Sequence, residues 1–176
     1  MPKRSARPSD TQGSEGAESS SWAPASGRSP KPNRRSATVA MLFAREGASL
    51  ACVDISREAV EATCASVEGE GGKAFSELAD VSDPAALEPL IARCAERLGG
   101  LDGLVLNVGI SKGLPLDRQS AADWDDEYAV NVRSPMLMSQ SALPKMDPGG
   151  AIVLVSSLAS QRATGRNPAY ESSKAA

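Results

Sequence analysis

The chain has 176 residues, enough for one domain, and 41% of them are hydrophobic but only 3% aromatic, so any core is aliphatic and alanine-rich. It contains no histidine, which excludes a Ser-His-Asp hydrolase and any histidine-ligated metal site. The net charge of −3 gives no overall attraction for nucleic acid.

Residues 1–35 are rich in Ser, Pro, Gly, Lys and Arg, with Trp22 the only large apolar side chain. Such a stretch cannot bury enough surface to offset its ordering entropy, and it is expected to be disordered. Residues 1–36 carry seven Lys/Arg against three Asp/Glu, a net +4, and the remainder carries −7. The tail reads as a solvated segment rather than a nucleic-acid arm. No apolar run reaches the roughly 20 residues of a membrane span, and the N-terminus lacks the apolar core of a secretory signal. A cytoplasmic protein with no membrane partner is expected.

Order is expected from Ser36, giving a domain over 36–176. Ala37, Ala40, Met41 and Ala44 recur at helical spacing, and Gly47 offers a left-handed stop. Residues 49–53 form a short aliphatic strand ending at Asp54. Ser56 can cap a helix whose apolar face is Val60, Cys64 and Val67. Lys73 to Leu78 is a weaker strand, followed by Ala79-Asp80-Val81. Asp83 and Pro84 open a third helix by the cap-then-proline rule, with Leu87, Leu90, Ile91, Cys94 and Leu98 on one face and Gly99-Gly100 ending it. Leu104 to Leu106 is the next strand, closed by Asn107-Val108-Gly109. A single long helix is expected from Ala121 to Leu143, with Trp124, Tyr128 and Asn131 along one side. Asp147-Pro148-Gly149-Gly150 reads as a turn, and Ala151 to Val155 as a strand leading to Ser156-Ser157. A final helix carries Tyr170 and Lys174. The cysteines, Cys52, Cys64 and Cys94, fit neither a zinc site nor a disulfide framework and read as small buried hydrophobes of a reducing compartment.

Strands alternating with helices imply βαβ units and a parallel sheet, and near-continuous aliphatic strands imply helices on both of its faces. Tyr170 and Lys174, four apart, lie one helical turn apart on one face. An ammonium there stabilises the phenolate and makes the tyrosine a proton donor and acceptor near neutral pH. Ser157 follows a strand and could hold a substrate oxygen. Pro135, four residues after Asn131, removes the hydrogen bond that would reach the Asn131 carbonyl and leaves it able to bind a water; a kink without chemical purpose is the alternative.

Asp54, Ala79-Asp80-Val81, Asn107-Val108-Gly109, Asn131, Ser157 and Tyr170-x-x-x-Lys174 occur in one order over Ala37 to the end. Together they resemble the short-chain dehydrogenase/reductase family. The resemblance implies an α/β, Rossmann-like fold, three layers with a doubly wound parallel sheet, here incomplete. It implies an oxidoreductase that transfers a hydride between NAD and an alcohol or carbonyl. Tyr170 would be the acid/base, Lys174 would support it and bond the nicotinamide ribose, Ser157 would polarise the carbonyl, and Asn131 would complete a proton relay. Asp54 at a strand end would bond the adenosine ribose and repel a 2′-phosphate, favouring NAD over NADP; a plain loop aspartate is the alternative. Asp80 and Val81 would flank the adenine, local turn chemistry being the alternative for Asp80. Asn107 and Gly109 would line the cofactor, with glycine permitting close backbone approach. No metal is implied, and full-length members are expected to be homo-oligomers.

The chain departs from the family at both ends. No glycine lies between Gly27 and Gly47, so the expected Gly-rich phosphate turn and its preceding strand are missing. In the strand order 3-2-1-4-5-6 that strand lies between the one ending at Asp54 and the one ending at Leu106, so two unpaired edges are expected mid-sheet. The strands beyond the catalytic helix are missing too. Impaired activity as an isolated fragment is expected; a non-enzymatic remnant that works only by pairing with a partner is the alternative.

Overall fold

A computed structural model describes residues 34–162 and 164–176; the part of the basic tail over residues 1–33 lies outside them. Arg34 and Arg35, expected in the tail, instead open helix α1 (Arg34–Arg45). Strand β1 (Ser49–Asp54), helix α2 (Arg57–Gly69) and strand β2 (Lys73–Leu78) follow as one βαβ unit, with β1 and β2 parallel from Ser49↔Lys73 to Asp54↔Leu78. Helix α3 (Pro84–Leu98) crosses to strand β3 (Leu101–Leu106). Helices α4 (Ala121–Tyr128) and α5 (Ser134–Ala142) precede strand β4 (Met146–Leu154), and α6 (Pro168–Ala175) is the last element.

The helix boundaries follow local chemistry. Ser56 accepts the Ala59 N–H at 3.3 Å, and Asp83 accepts the Ala85 N–H at 3.0 Å beside Pro84. Ser120 and Asp123 form a reciprocal capping box at the start of α4. Gly99, at φ 81°, takes the left-handed conformation that ends α3, and its N–H closes on the Ala95 carbonyl.

Two expectations change. The single helix over 121–143 is broken by a π-turn at Ala129–Arg133. Pro135 has no N–H for the Asn131 carbonyl, and the Ser134 N–H reaches back five residues to the Ala129 carbonyl. The turn at 147–150 sits inside β4 as a bulge. Leu101 pairs with Met146 and Gly103 with Ala151, so β4 spends extra residues against one step of β3.

The sheet is split as the strand order requires. Among the described residues β1 pairs with β2 and β3 with β4, giving two separate two-stranded parallel sheets. One core joins them. Leu87, Leu90, Ile91 and Cys94 of α3 pack with Val130, Met138 and Ala142, with Leu101 and Leu106 of β3, and with Ala51 and Val53 of β1. Burial pushes the Cys52 thiol up to about 12 and the Cys94 thiol up to about 11, which keeps both as unreactive thiols.

Because α3 holds both sheets, its buried face carries the fold. Leu90 is fully buried, and truncating it to alanine is expected to cost about 2–5 kcal/mol in urea unfolding. Leu42→Ala, at a side chain 53% exposed on α1, is expected to change stability by no more than about 0.5 kcal/mol. Equal costs for the two would place the core elsewhere.

Candidate active site

The carboxyl ends of the four strands share one rim. Helix α3 runs from the end of β2 to the start of β3, and the Asn107 Nδ2 donates to Ser36 Oγ at 2.8 Å, tying the end of β3 to the start of α1. Ligands of open α/β sheets bind outside such a rim.

Asn131 organises the inner part of this rim. It is only 7% exposed, on the π-turn, and its carboxamide is fully engaged. The Ile110 N–H donates to Oδ1 at 2.9 Å. Nδ2 donates to the Ile110 carbonyl and to Ser173 Oγ, each at 2.9 Å. Ser173 in turn donates to the Tyr170 carbonyl at 2.9 Å. The loop after β3, the π-turn and helix α6 are thereby locked together.

Lys174 lies in the same cluster. Its Nζ donates to the Val155 carbonyl at 3.1 Å, and a Cβ added to Gly109 would sit 3.0 Å from that Nζ and 3.2 Å from Asn131 Oδ1. A side chain at 109 would require Lys174 or Asn131 to give by a few tenths of an ångström, which gives the glycine a packing reason. Ser156 Oγ donates to the Lys174 carbonyl at 2.7 Å, fastening the end of β4 to α6. Ser157 is half-buried, and its Oγ accepts the Ala159 N–H at 3.2 Å, capping a short 3-10 turn over Leu158–Ser160. Tyr170 is half-buried and faces a cleft of about 350 Å³ with Leu158, Ala159, Arg162 and Asn167.

The residues expected around the adenine half are placed separately. Asp54 ends β1, and its Oδ1 accepts the Ser56 N–H at 2.9 Å, a local turn beside the helix cap. Asp80 is exposed, and its Oδ1 accepts both the Ser82 N–H at 2.9 Å and the Ser82 hydroxyl at 2.7 Å, so turn chemistry accounts for this oxygen. Val81 is 7% exposed and its side chain belongs to the core. Trp124 and Tyr128 stack with ring centroids 5.3 Å apart.

Four further residues hold the site and were not singled out in the sequence: Ser36, Ser156, Ser173 and Glu127. Ser173 falls inside the Tyr170-x-x-x-Lys174 spacing, one residue before the lysine. Glu127 lies one turn before Asn131, on the buried stripe of Glu127, Val130, Asn131 and Ser134. Its side chain is fully buried, Oε1 accepts the Lys112 N–H at 2.6 Å, and Oε2 is without a protein partner. The same loop is held outside by the Lys112 ammonium, 2.8 Å from Asp126 and 3.7 Å from Asp123.

The family model for short chain dehydrogenase matches residues 36–176. A D-threitol dehydrogenase of Mycolicibacterium smegmatis is 34% identical over 140 residues, covering 78% of this chain and 54% of that protein. A 3-oxoacyl-[acyl-carrier-protein] reductase of Thermotoga maritima is 31% identical over 137 residues, covering 77% and 56%. Among solved structures, a short chain dehydrogenase of Burkholderia cenocepacia in complex with NADP superposes with a TM-score of 0.74 at 35% identity, covering 79% of this chain and 58% of that one. The chain belongs to the short-chain dehydrogenase/reductase family and has its Rossmann-like α/β fold. It spans about half the length of the curated relatives it matches. Among the described residues no helix is long and apolar enough to cross a membrane.

Burial raises the Glu127 carboxyl above its ordinary value, against the opposing pull of the Lys112 N–H. A raised native value means that the folded state holds the proton more tightly than the unfolded one. The stability this contributes is full below the ordinary carboxylate range and is lost as pH rises through the raised value. Glu127→Gln cannot ionise. Its stability relative to the natural chain, measured by urea unfolding from pH 4 to pH 8, is expected to improve steadily as pH rises; a flat difference would mean that Glu127 titrates normally.

Proposed function

We propose that the chain carries the catalytic rim of a nicotinamide-dependent oxidoreductase acting on an alcohol or its carbonyl counterpart. The observation that carries this reading is the joining of Gly109, Asn131 and Lys174 in one cluster at the carboxyl ends of the strands, one turn of α6 from Tyr170. The residues fit a nicotinamide dinucleotide at one test: the space where a side chain at position 109 would stand is kept clear beside the lysine. Lys174, Asn107 and Gly109 would hold the nicotinamide half, and Asp54 and Asp80 the adenosine half. Bound nicotinamide supplies the hydride acceptor or donor.

This chain's own residues would handle the oxygen and its proton. Tyr170 as phenolate takes the proton from an alcohol oxygen and becomes the phenol, and in the reverse direction its hydroxyl gives that proton to a carbonyl oxygen. The Lys174 ammonium, one helical turn on, keeps positive charge where that proton leaves. Ser157 donates its hydroxyl hydrogen to the substrate oxygen, since its Oγ in this structure accepts from Ala159 and leaves the hydrogen available. Asn131 orders the site through its side chain, and its carbonyl, unserved by Pro135, is the group suited to bind a relay water. Relatives named as a D-threitol dehydrogenase and a 3-oxoacyl-[acyl-carrier-protein] reductase support an alcohol or carbonyl substrate.

NAD is proposed over NADP because a carboxylate ends β1, where it would accept from ribose hydroxyls and repel a 2′-phosphate. The relative with NADP bound makes this a point to be tested on the present sequence. Calorimetric titration of residues 1–176 with each cofactor is expected to give tighter binding of NAD, and Asp54→Ala is expected to narrow the difference by roughly tenfold, about 1.4 kcal/mol. NADP bound as tightly as NAD by the natural chain would overturn the assignment of Asp54.

For the chemistry, Tyr170→Phe is expected to lower turnover of a small secondary alcohol by about 10²-fold or more while leaving cofactor affinity within about threefold, the pattern of a lost acid/base rather than a lost binding group. NADH formation read at saturating cofactor tests it. Unchanged turnover would remove Tyr170 from the reaction.

A further inference from the structure

The loop between Ser157 and Tyr170 carries two arginines, Arg162 and Arg166, and both line the cleft of about 350 Å³ that Tyr170 also lines. Both are exposed, and among the described residues neither guanidinium has a carboxylate partner, whereas Arg45, Arg57, Arg93 and Arg97 each pair with a glutamate. The single acid among the lining residues is Glu171, and both of its oxygens are engaged by the loop itself. Oε1 accepts the Thr164 N–H at 3.1 Å and the Thr164 hydroxyl, and Oε2 accepts the Thr164 N–H at 3.1 Å and the Gly165 N–H at 3.3 Å. The Thr164 hydroxyl oxygen in turn accepts the Arg166 N–H at 3.2 Å. The turn between the two arginines is thereby fastened to α6 at the residue that follows Tyr170.

The chemistry of the lining defines its occupant. Two guanidiniums against one carboxylate leave one net positive charge, which matches a single monoanionic group. A guanidinium presents a planar fork of donors that fits a carboxylate bidentately. Leu158, 81% exposed, and Ala159 add apolar surface to the same cleft. A cleft of this volume lies at the small end of ligand pockets, so its occupant is short. A hydroxyl able to handle a proton, an apolar wall and a receptor for one negative charge therefore share one small space.

We propose that Arg162 and Arg166 form a carboxylate subsite, and that the substrate is a short hydroxy acid or the corresponding keto acid, held by its carboxylate while its alcohol or carbonyl oxygen meets Tyr170. Oxidation moves a hydride from the carbinol carbon to the nicotinamide and a proton from its oxygen to Tyr170. The carboxylate is unchanged by that step, so the arginines hold substrate and product alike. This inference rests on the oxidoreductase reading for the reacting end of the molecule and on the cleft for its charged end.

The test follows the arginine Nε–H resonances of isotope-labelled residues 1–176 during titration with β-hydroxybutyrate and with its neutral amide. The acid is expected to give saturable shifts at Arg162 and Arg166, with an affinity about tenfold or more above that of the amide. Arg162→Gln and Arg166→Gln are each expected to weaken the acid by about threefold or more, whereas Arg57→Gln, which removes the same charge from α2, is expected to leave its binding unchanged. Equal binding of acid and amide, or an equal loss in the Arg57 variant, would overturn the proposal. Turnover of the same two compounds with NAD separates this inference from the reading beneath it. Oxidation of the amide at the same kcat/KM as the acid would overturn the carboxylate subsite and leave the oxidoreductase reading standing. Binding of the acid with no oxidation of either compound would overturn the oxidoreductase reading, and the substrate role of the cleft with it.

Discussion

The Asn131 carboxamide grips Ile110 by both its N–H and its carbonyl and spends its remaining hydrogen on Ser173. A side-chain amide has few bonds to give, and here three are used on segments far apart in the chain. The grip depends on the π-turn at 129–133, which carries Asn131, and the turn depends on Pro135 interrupting the ladder that a regular helix would continue. Without the extra residue of the π-turn, the amide would rotate off the line joining the β3 loop to α6. Gly109 and Lys174 meet where both segments are held by this group.

The same geometry explains how half a sheet persists. A split sheet leaves edge groups that would cost free energy if buried dry. The structure offsets part of this by making the helix, rather than the sheet, the continuous element. Helix α3 buries Leu87 and Leu90 almost completely and touches hydrophobic side chains of both strand pairs. On the far side of β3 and β4 the cover is thinner: Val105 is 38% exposed and Val153 47%. The rim is thus held from the α3–α5 side, and the Asn131 clamp is on that side as well.

Much of this was readable from the sequence because the strong signals are local. Ser56, Asp83-Pro84 and Gly99 announce helix ends through chemistry within four residues, and the structure places the ends there. The parallel strand pairs follow from alternation of element types, and the mid-sheet split from an absent aliphatic run. What escaped depends on three-dimensional neighbours. The bulge in β4 reads as a turn in the sequence because Asp147-Pro148-Gly149-Gly150 has turn composition whichever role it plays. The broken helix over 121–143 was half legible: Pro135 marked the place, but the π-turn arises from how Ser134 and Ala129 pair around it. The buried carboxyl of Glu127 had only its position on Asn131's stripe to reveal it.

The two adjacent serines at the end of β4 show why a sequence motif can name the right place without naming the partition of labour. In extended backbone, successive side chains point to opposite sides. Ser156 turns toward α6 and spends its hydrogen on the Lys174 carbonyl, a purely positional bond. Ser157 turns the other way; its oxygen takes the Ala159 N–H, and its hydrogen has no partner among the bonds of the described residues. One serine fixes the helix that carries Tyr170 and Lys174, and the other keeps a donor to spare. Exchanging the two by a one-residue slip of β4 would leave the composition of the rim unchanged, yet turn the free hydroxyl toward the helix and the anchor away from it. The register set by Leu104↔Ile152 and Leu106↔Leu154 is therefore part of the site, and the bulge at 147–150 is what brings that register about.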